Sequence, residues 1–177
     1  MDSLSDAQLA EELKLASSEA FQELYGRYKQ QIFYFCLKLT NNQAQAEDAA
    51  HDTFLKMFGN INTLTNTDSF KPWLYTIARN QVYNLFARKQ TDGLNGKAEP
   101  WDPETPLHLL EEQEQTEAIA LCLNALKPEY KEVLFLQAYE GLSYTEIAVA
   151  TGATESSVKS RLFKARKALA EKLKHYF

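Results

Sequence analysis

The amino-acid sequence predicts an all-α protein with two small helical domains joined by a flexible linker. Apolar residues recur at spacings of three and four along most of the chain, as from Phe21 to Leu39, and no run alternates convincingly with the period of a β-strand. Between Gln90 and about Pro106 the helical period disappears, and two glycines, three prolines and scattered acids replace it. We therefore predict domains at 1–90 and 111–177 and a flexible acidic linker at 91–110.

Four helices are predicted in the first domain and four in the second. The first-domain elements are a helix through Leu15 opened by a capping box of Ser3 and Asp6, a helix from Ser17 or Ser18 to the break at Asn41, a helix from about Ala44 to Phe58, a polar loop over 59–69, and a helix from about Ser69 through Phe86. In the third helix, the residues predicted to point inward are Ala50, Phe54, Leu55 and Phe58. The second-domain helices are predicted from Leu107–Leu110 to Leu126 and at about 129–140, 143–150 and 155–174.

The segment from Ser143 to Leu162 has the spacing of a helix-turn-helix motif. Counting from Tyr144, Ala148 stands at position 5, Gly152 at position 9 and Val158 at position 15. A small alanine lets two helices cross closely, and a glycine adopts the turn conformation that is costly for other residues. Such a motif places its second helix in the major groove of DNA. The alternative is an ordinary helical hairpin with a solvated basic face.

The net charge of −5 argues at first against a nucleic-acid partner, but the charge is segregated. Residues 61–90 carry a balance of +3 and residues 155–177 a balance of +5, whereas 1–60 and 91–154 carry −4 and −9. Affinity for DNA depends on local neutralisation of phosphates, so two basic segments matter more than the total charge. The second basic segment coincides with the second helix of the helix-turn-helix motif.

Other classes of protein find little support. Three histidines lie far apart and no glycine-rich turn precedes a helix, so we expect no metal, cofactor or catalytic residue. Cys36 and Cys122 each sit in an apolar helical pattern, which favours two reduced core thiols. The first residues lack the features of a secretory signal, and no apolar run approaches the roughly 18 residues of a membrane span. We therefore expect a cytoplasmic protein without membrane insertion.

Three stretches resemble one known family, the extracytoplasmic-function (ECF) group of bacterial RNA polymerase sigma factors, in the sigma-70 family. AEDAAHDTFLKMF (46–58) is similar to the helix of sigma region 2 that docks on the polymerase clamp, and FKPWLYTIARN (70–80) to the helix that melts and reads the −10 element. LKPEYKEVLFL (126–136), followed by the helix-turn-helix, resembles sigma region 4, which reads the −35 element. With the connecting helices, the resemblance covers nearly the whole chain except the linker.

The resemblance implies roles for individual residues. The expected contacts with core polymerase are Glu47, Asp48, His51 and Asp52, with His51 standing where the family usually has glutamine. The expected contacts with the −10 element are Leu64, Asn66, Ser69, Lys71, Arg79, Asn80 and Asn84, in the base-capturing loop and the helix after it. The expected contacts with the −35 element are Ser156, Ser157, Lys159, Ser160, Arg161, Phe163 and Lys164.

The predicted function is that of an ECF-type sigma factor, which binds core RNA polymerase and directs promoter recognition, promoter melting and initiation. We expect a monomer when free, with core polymerase and promoter DNA as partners, and the family resemblance adds an anti-sigma factor as a further partner that no residue here identifies. The main alternative is a stand-alone helix-turn-helix regulator with a helical sensing or dimerisation domain. A recombinase-like enzyme would need an α/β catalytic domain and supporting arginines, but Arg27 is the only arginine before Arg79.

Overall fold

The computed structural model describes residues 3–91 and 114–176, and within these ranges every regular element is helical. The α-helices are α1 (Asp6–Lys14), α2 (Ser18–Thr40), α3 (Gln43–Asn60), α4 (Phe70–Thr91), α5 (Glu114–Asn124), α6 (Pro128–Ala138), α7 (Tyr144–Thr151) and α8 (Glu155–Leu173), with short 3-10 turns at Ile61–Thr63 and Thr67–Ser69. The all-α prediction is confirmed. The predicted linker lies outside the described residues except for Thr91, which ends α4, and so does the predicted helix start at Leu107–Leu110.

Short polar residues begin the helices of the first half, as predicted, but the first cap was wrong by two positions. Ser5, not Ser3, begins α1, because its Oγ accepts from the amide of Gln8 at 3.2 Å while the Gln8 side chain accepts from the Ser5 amide at 2.9 Å. This reciprocal pair satisfies two amides that a helix start leaves open. Ser17 caps α2 in the same way, accepting from the Ala20 amide at 3.2 Å.

Helices α1 to α4 form the first helical domain around one apolar core. The buried side of α3 consists of Ala46, Ala49, Ala50, Thr53, Phe54 and Met57. The prediction that Leu55 and Phe58 point inward was wrong, since they are 56% and 49% exposed. Each follows a buried residue directly, and one residue turns a helix by about 100°. The packing of Phe54 and Met57 into the core therefore turns Leu55 and Phe58 outward.

Helices α5 to α8 form the second helical domain, with the helix-turn-helix motif in α7 and α8. Ser143 caps α7 through a second reciprocal pair with Glu146. Gly152 ends α7 in the left-handed conformation with φ of 65°, which confirms the role predicted for it. Val158 and Leu162, both predicted to pack α8 against α7, are 0% and 1% exposed.

The two domains pack directly against each other. Helix α4 lies against α7 and α2 lies against α6. The rings of Phe35 in α2 and Phe135 in α6 meet with their centroids 5.6 Å apart, and both side chains are buried. The apolar core therefore continues from one domain into the other.

Two further features of the chain bear on its class. Cys36 and Cys122 are buried free thiols, as predicted, and burial raises the pKa of Cys36 to about 12. In residues 3–91 and 114–176, no helix combines the length and the apolar character needed to cross a bilayer.

Candidate nucleic-acid interface

Helix α8 presents one apolar side to the protein and one polar side to solvent. Val158, Leu162 and Ala165 are buried at spacings of four and three, which fixes the opposite side outward. The predicted −35 residues lie on the outward side, where Ser156, Lys159, Ser160, Phe163 and Lys164 are exposed and Ser157 and Arg161 are half-buried. The structure thus brings all seven to one surface.

The surface of α8 is open at its N-terminal end. Thr154 caps the helix by accepting from the Ser157 amide at 3.1 Å. A polar cleft of about 470 Å³ separates this end from the start of α6, and its α8 side is lined by Ser156, Ser157, Ser160, Arg161 and Lys164. This end of α8 therefore combines hydroxyl groups, cationic side chains and the positive end of the helix dipole. Such groups bind DNA phosphates and base edges.

The predicted polymerase-docking residues form a second surface, on α3. Glu47, Asp48, His51 and Asp52 are all exposed and lie on one side of the helix, because their spacings of one and four keep them together. A cleft of about 410 Å³ separates this side from Tyr25, Lys29 and Phe33 of α2. We call Glu47, Asp48, His51 and Asp52 the docking face.

Apolar side chains beside the docking face escaped the sequence-based prediction. Leu55 is 56% exposed, Phe58 is 49% exposed and Tyr25 is 44% exposed. Leu55 follows His51 by four residues and Phe58 follows it by seven, so helical spacing alone could have placed them on this side. Exposed apolar residues beside acids are typical of a protein-binding surface.

The predicted −10 residues lie in the loop before α4 and along α4, but in different environments. Asn66, Asn80 and Asn84 are exposed, whereas Ser69, Lys71 and Arg79 are half-buried. The Asn66 side chain accepts from the Asp68 amide at 3.1 Å and so shapes the loop. Leu64 is 4% exposed and belongs to the core, where it anchors the loop and is not available to a base.

Both cations of this set are paired with carboxylates of the second helical domain. Arg79 Nε donates to Glu132 Oε2 at 2.8 Å. Lys71 Nζ lies 3.2 Å from Glu140 Oε2 and donates to the Glu140 carbonyl at 2.8 Å. Thr76, between them on α4, donates to the Val149 carbonyl at 3.4 Å. We call these contacts of Lys71, Thr76 and Arg79 with Glu132, Glu140 and Val149 the closed interface.

Glu132 is the most deeply buried acid of the closed interface. Its side chain is 0% exposed. Burial raises the pKa of Glu132, and the nearby Arg79 guanidinium opposes this effect. Arg79 also stacks over the Tyr83 ring, 4.3 Å from its centroid. The sequence patterns predicted neither pair, because neither acid is near its cation along the chain.

Family models match both halves of the chain. The model described as sigma-70 region 2 matches residues 24–91, which include the docking face and the whole of α4. The model described as sigma-70, region 4 matches residues 116–169, which include the helix-turn-helix motif. The fold and the matched segments together define a sigma-70-type transcription initiation factor.

Curated relatives of this protein align with it along most of both chains. The chain is 29% identical to RNA polymerase sigma factor YlaC of Bacillus subtilis, over 84% of this chain and 88% of the relative, and 26% identical to ECF RNA polymerase sigma factor SigW of the same organism, over 92% and 94%. The protein therefore belongs to the ECF group of bacterial RNA polymerase sigma factors. A stand-alone helix-turn-helix regulator, the alternative reading, is not favoured.

Solved structures share the fold. The sigma factor RpoE from Bartonella quintana, solved with the anti-sigma factor NepR, superimposes with a TM-score of 0.73 at 24% identity, over 87% of this chain and 96% of that chain. CnrH, solved with the cytosolic domain of CnrY, gives the same TM-score at 21% identity, over 96% and 97%. This chain therefore shares its helical fold with RpoE and CnrH.

Proposed function

We propose that this sigma factor divides its work among three surfaces: the docking face holds core polymerase, α4 and the preceding loop hold the separated −10 strand, and α8 reads the −35 duplex. The observation that carries the proposal is the outward side of α8. Seven residues predicted from sequence as −35 contacts converge there, on the more basic end of an acidic chain. The protein acts in the cytoplasm as a binding subunit, and no catalytic step is assigned to it.

The docking face suits a basic partner surface. Three carboxylates and a histidine stand exposed on α3, with Leu55 and Phe58 beside them. Complementary charge speeds encounter and fixes register, while buried apolar contacts supply most of the affinity. Leu55 and Phe58 are therefore proposed as further contacts with core polymerase.

The −10 surface suits a single strand better than a duplex. Extruding a base from a duplex costs a few kcal/mol, which contacts available only to the separated strand must offset. Asn80 and Asn84 are exposed on α4 and supply both donors and acceptors for base edges. Lys71 and Arg79 would supply the cations for phosphates, once they are released from the closed interface.

Binding through two weak sites explains why polymerase is needed. Each DNA-binding surface is small, and tethering both to polymerase raises the effective concentration of the second contact.

An anti-sigma factor is proposed as a further partner. RpoE and CnrH share this fold, and each was solved in complex with a second protein, which is named as an anti-sigma factor in the case of RpoE. Such a partner would act by covering the surfaces described above.

The docking assignment is tested by reversing one charge on α3. Asp48→Lys is expected to weaken binding to bacterial core polymerase at least tenfold, about 1.4 kcal/mol, because it places a cation against a basic surface. The matched control is Glu12→Lys, which reverses an exposed acid on α1. Binding is measured by fluorescence anisotropy of the labelled chain. Equal affinities for Asp48→Lys and Glu12→Lys would remove α3 from the polymerase contact.

A further inference from the structure

We propose that a cavity bordered by α2, α5, α6 and α8 is a binding site for a small amphipathic carboxylate, of the class of medium-chain fatty acids. In this site Lys131 and Lys38 bind the carboxylate, and apolar walls hold the hydrocarbon chain. The site is separate from the surfaces assigned to polymerase and DNA, because none of the residues assigned to those surfaces lines it.

The cavity has the size and the walls of a small ligand site. Its volume is about 290 Å³, close to the lower end of the range of about 300–1,000 Å³ for pockets that hold small molecules. The apolar and aromatic side chains of its walls are Leu123, Leu134, Phe135, Ala138, Tyr139 and Leu169. A hydrocarbon chain of medium length would lose its contact with water in this cavity, which favours binding.

Two aromatic rings form one side of the cavity. The rings of Phe135 and Tyr139 stack with their centroids 5.1 Å apart and an angle of 21° between their planes. Phe135 is buried, whereas Tyr139 is 68% exposed, which places Tyr139 at the mouth of the cavity. The two rings therefore lead from solvent to the buried part of the site along one apolar surface.

Both charged groups of the cavity are cations. Lys131 of α6 is 5% exposed, and Lys38, in the last turn of α2, is half-buried. Among residues 3–91 and 114–176, no acid lines the cavity. Glu132 is next to Lys131 in the chain, but it accepts from Arg79 Nε at 2.8 Å and lies outside the lining. The cavity thus combines apolar walls with an excess of positive charge.

This combination suits a carboxylate with an apolar chain. Burial and the positive charge of Lys38 lower the pKa of Lys131 to about 8, because a desolvated ammonium is costly to keep charged. A bound carboxylate offsets that cost and accepts charge-assisted hydrogen bonds. A phosphate dianion would lose more hydration on entering the same small space. A cation kept where it is costly is also typical of functional sites.

The test is isothermal titration calorimetry of the full chain at pH 7 with octanoate, octanol and octyltrimethylammonium, each below the concentration at which it forms micelles. These probes share an alkyl chain and differ in the head group. We expect octanoate to bind at a single site, octanol to bind at least tenfold more weakly, and octyltrimethylammonium not to bind detectably. The reason is that only the carboxylate makes charge-assisted hydrogen bonds with the lysines.

Lys131→Met tests the residue that carries the proposal, since methionine keeps a similar volume and removes the charge. Its affinity for octanoate should fall at least tenfold, while its affinity for octanol should not fall. The matched control, Lys56→Met, replaces an exposed lysine on α3 and should bind both probes as wild type does. Methyl NMR spectra locate the site, because octanoate should shift the signals of Leu123, Leu134 and Leu169.

Three results would overturn the proposal. Equal affinities for octanoate and octanol would leave the cavity as a seat for an apolar side chain of a partner protein. Octanoate binding that is equally tight in wild type and Lys131→Met would remove the buried lysine from the site. Methyl shifts confined to leucines outside the cavity would place the ligand elsewhere.

Discussion

Replacing Lys131 by methionine is expected to raise the free energy of unfolding by about 3 kcal/mol at pH 7. Lys131 lies on α6 and is 5% exposed. Burial, together with the positive charge of Lys38, lowers the pKa of Lys131 from 10.5 to about 8. At pH 7 the folded protein must therefore keep a desolvated cation. Methionine fills similar space without the charge, so its presence removes this penalty.

The same shift predicts how stability depends on pH. Between pH 8 and pH 10.5 the unfolded chain still binds a proton at Lys131 that the folded protein has released. Stability therefore rises with pH in this window, by about 1.4 kcal/mol per pH unit from this group alone. Cys36 acts in the opposite direction above pH 9, because only the unfolded thiol ionises there. That effect is the same in wild type and Lys131→Met and cancels in their difference.

Urea unfolding of wild type and Lys131→Met at pH 7, 8, 9 and 10 measures the difference directly. The advantage of the variant should be largest at pH 7 and shrink steadily above pH 8. The control is Lys56→Met, which replaces an exposed lysine on α3 and should change stability by less than about 0.5 kcal/mol at every pH. A difference between wild type and Lys131→Met that stays constant from pH 7 to pH 10 would show that Lys131 does not titrate in the folded protein as described.

Replacing Lys159 and Lys164 by alanine together is expected to abolish most of the discrimination between a −35 element and unrelated DNA. Both side chains are exposed on the outward side of α8, and Lys159 lies 5.8 Å from the centroid of the Tyr144 ring, which holds it near the start of the helix. A lysine ammonium that donates to acceptors on a base edge discriminates between sequences, and its charge also neutralises nearby phosphates, each such charge contributing about 0.9 to the slope of log affinity against log salt. The slope for holoenzyme on promoter duplex should therefore fall by about 2, and affinity at low salt by at least tenfold.

The matched control is Lys172→Ala with Lys174→Ala, which removes the same charge about 17 Å farther along the helix axis. This pair should reduce affinity less and leave −35 discrimination intact. If base changes in the −35 element matter as much to Lys159→Ala/Lys164→Ala as to wild type, then α8 reads DNA with other residues. The fold of both variants is checked by circular dichroism.

Local patterns predicted the parts of the fold that depend on local interactions. The left-handed Gly152, the buried Val158 and Leu162, and the outward position of the predicted −35 residues follow from helical spacing and turn chemistry within one motif. Sequence patterns locate a helix start or a buried side only to within one or two residues. The helix cap at Ser5, two positions after the predicted one, and the outward side chain of Leu55 are examples. A cap depends on which side chain reaches the open amides, and several polar residues compete for that role.

The closed interface could not be predicted in this way. It depends on pairs separated by 53 and 69 positions, between helices that the charge pattern assigns to separate basic and acidic segments. In the sequence, Lys131 and Glu132 also look like two residues on the solvent-facing side of an amphipathic helix. Because α6 packs on α2, α7 and α8 together, even the charged side chains of Lys131 and Glu132 are buried. Long-range packing thus decides the environment of residues that local pattern treats as surface.

The central claim, that this chain directs polymerase to promoters, is tested most directly by transcription in vitro. Purified chain is added to bacterial core polymerase with a library of genomic promoter fragments, and the 5′ ends of the transcripts are mapped. The account predicts transcripts that start at defined positions only when the chain is present, downstream of shared −35 and −10 sequences. Asp48→Lys should reduce them and Glu12→Lys should not. Initiation that is equally frequent and equally scattered with and without the chain would contradict the account.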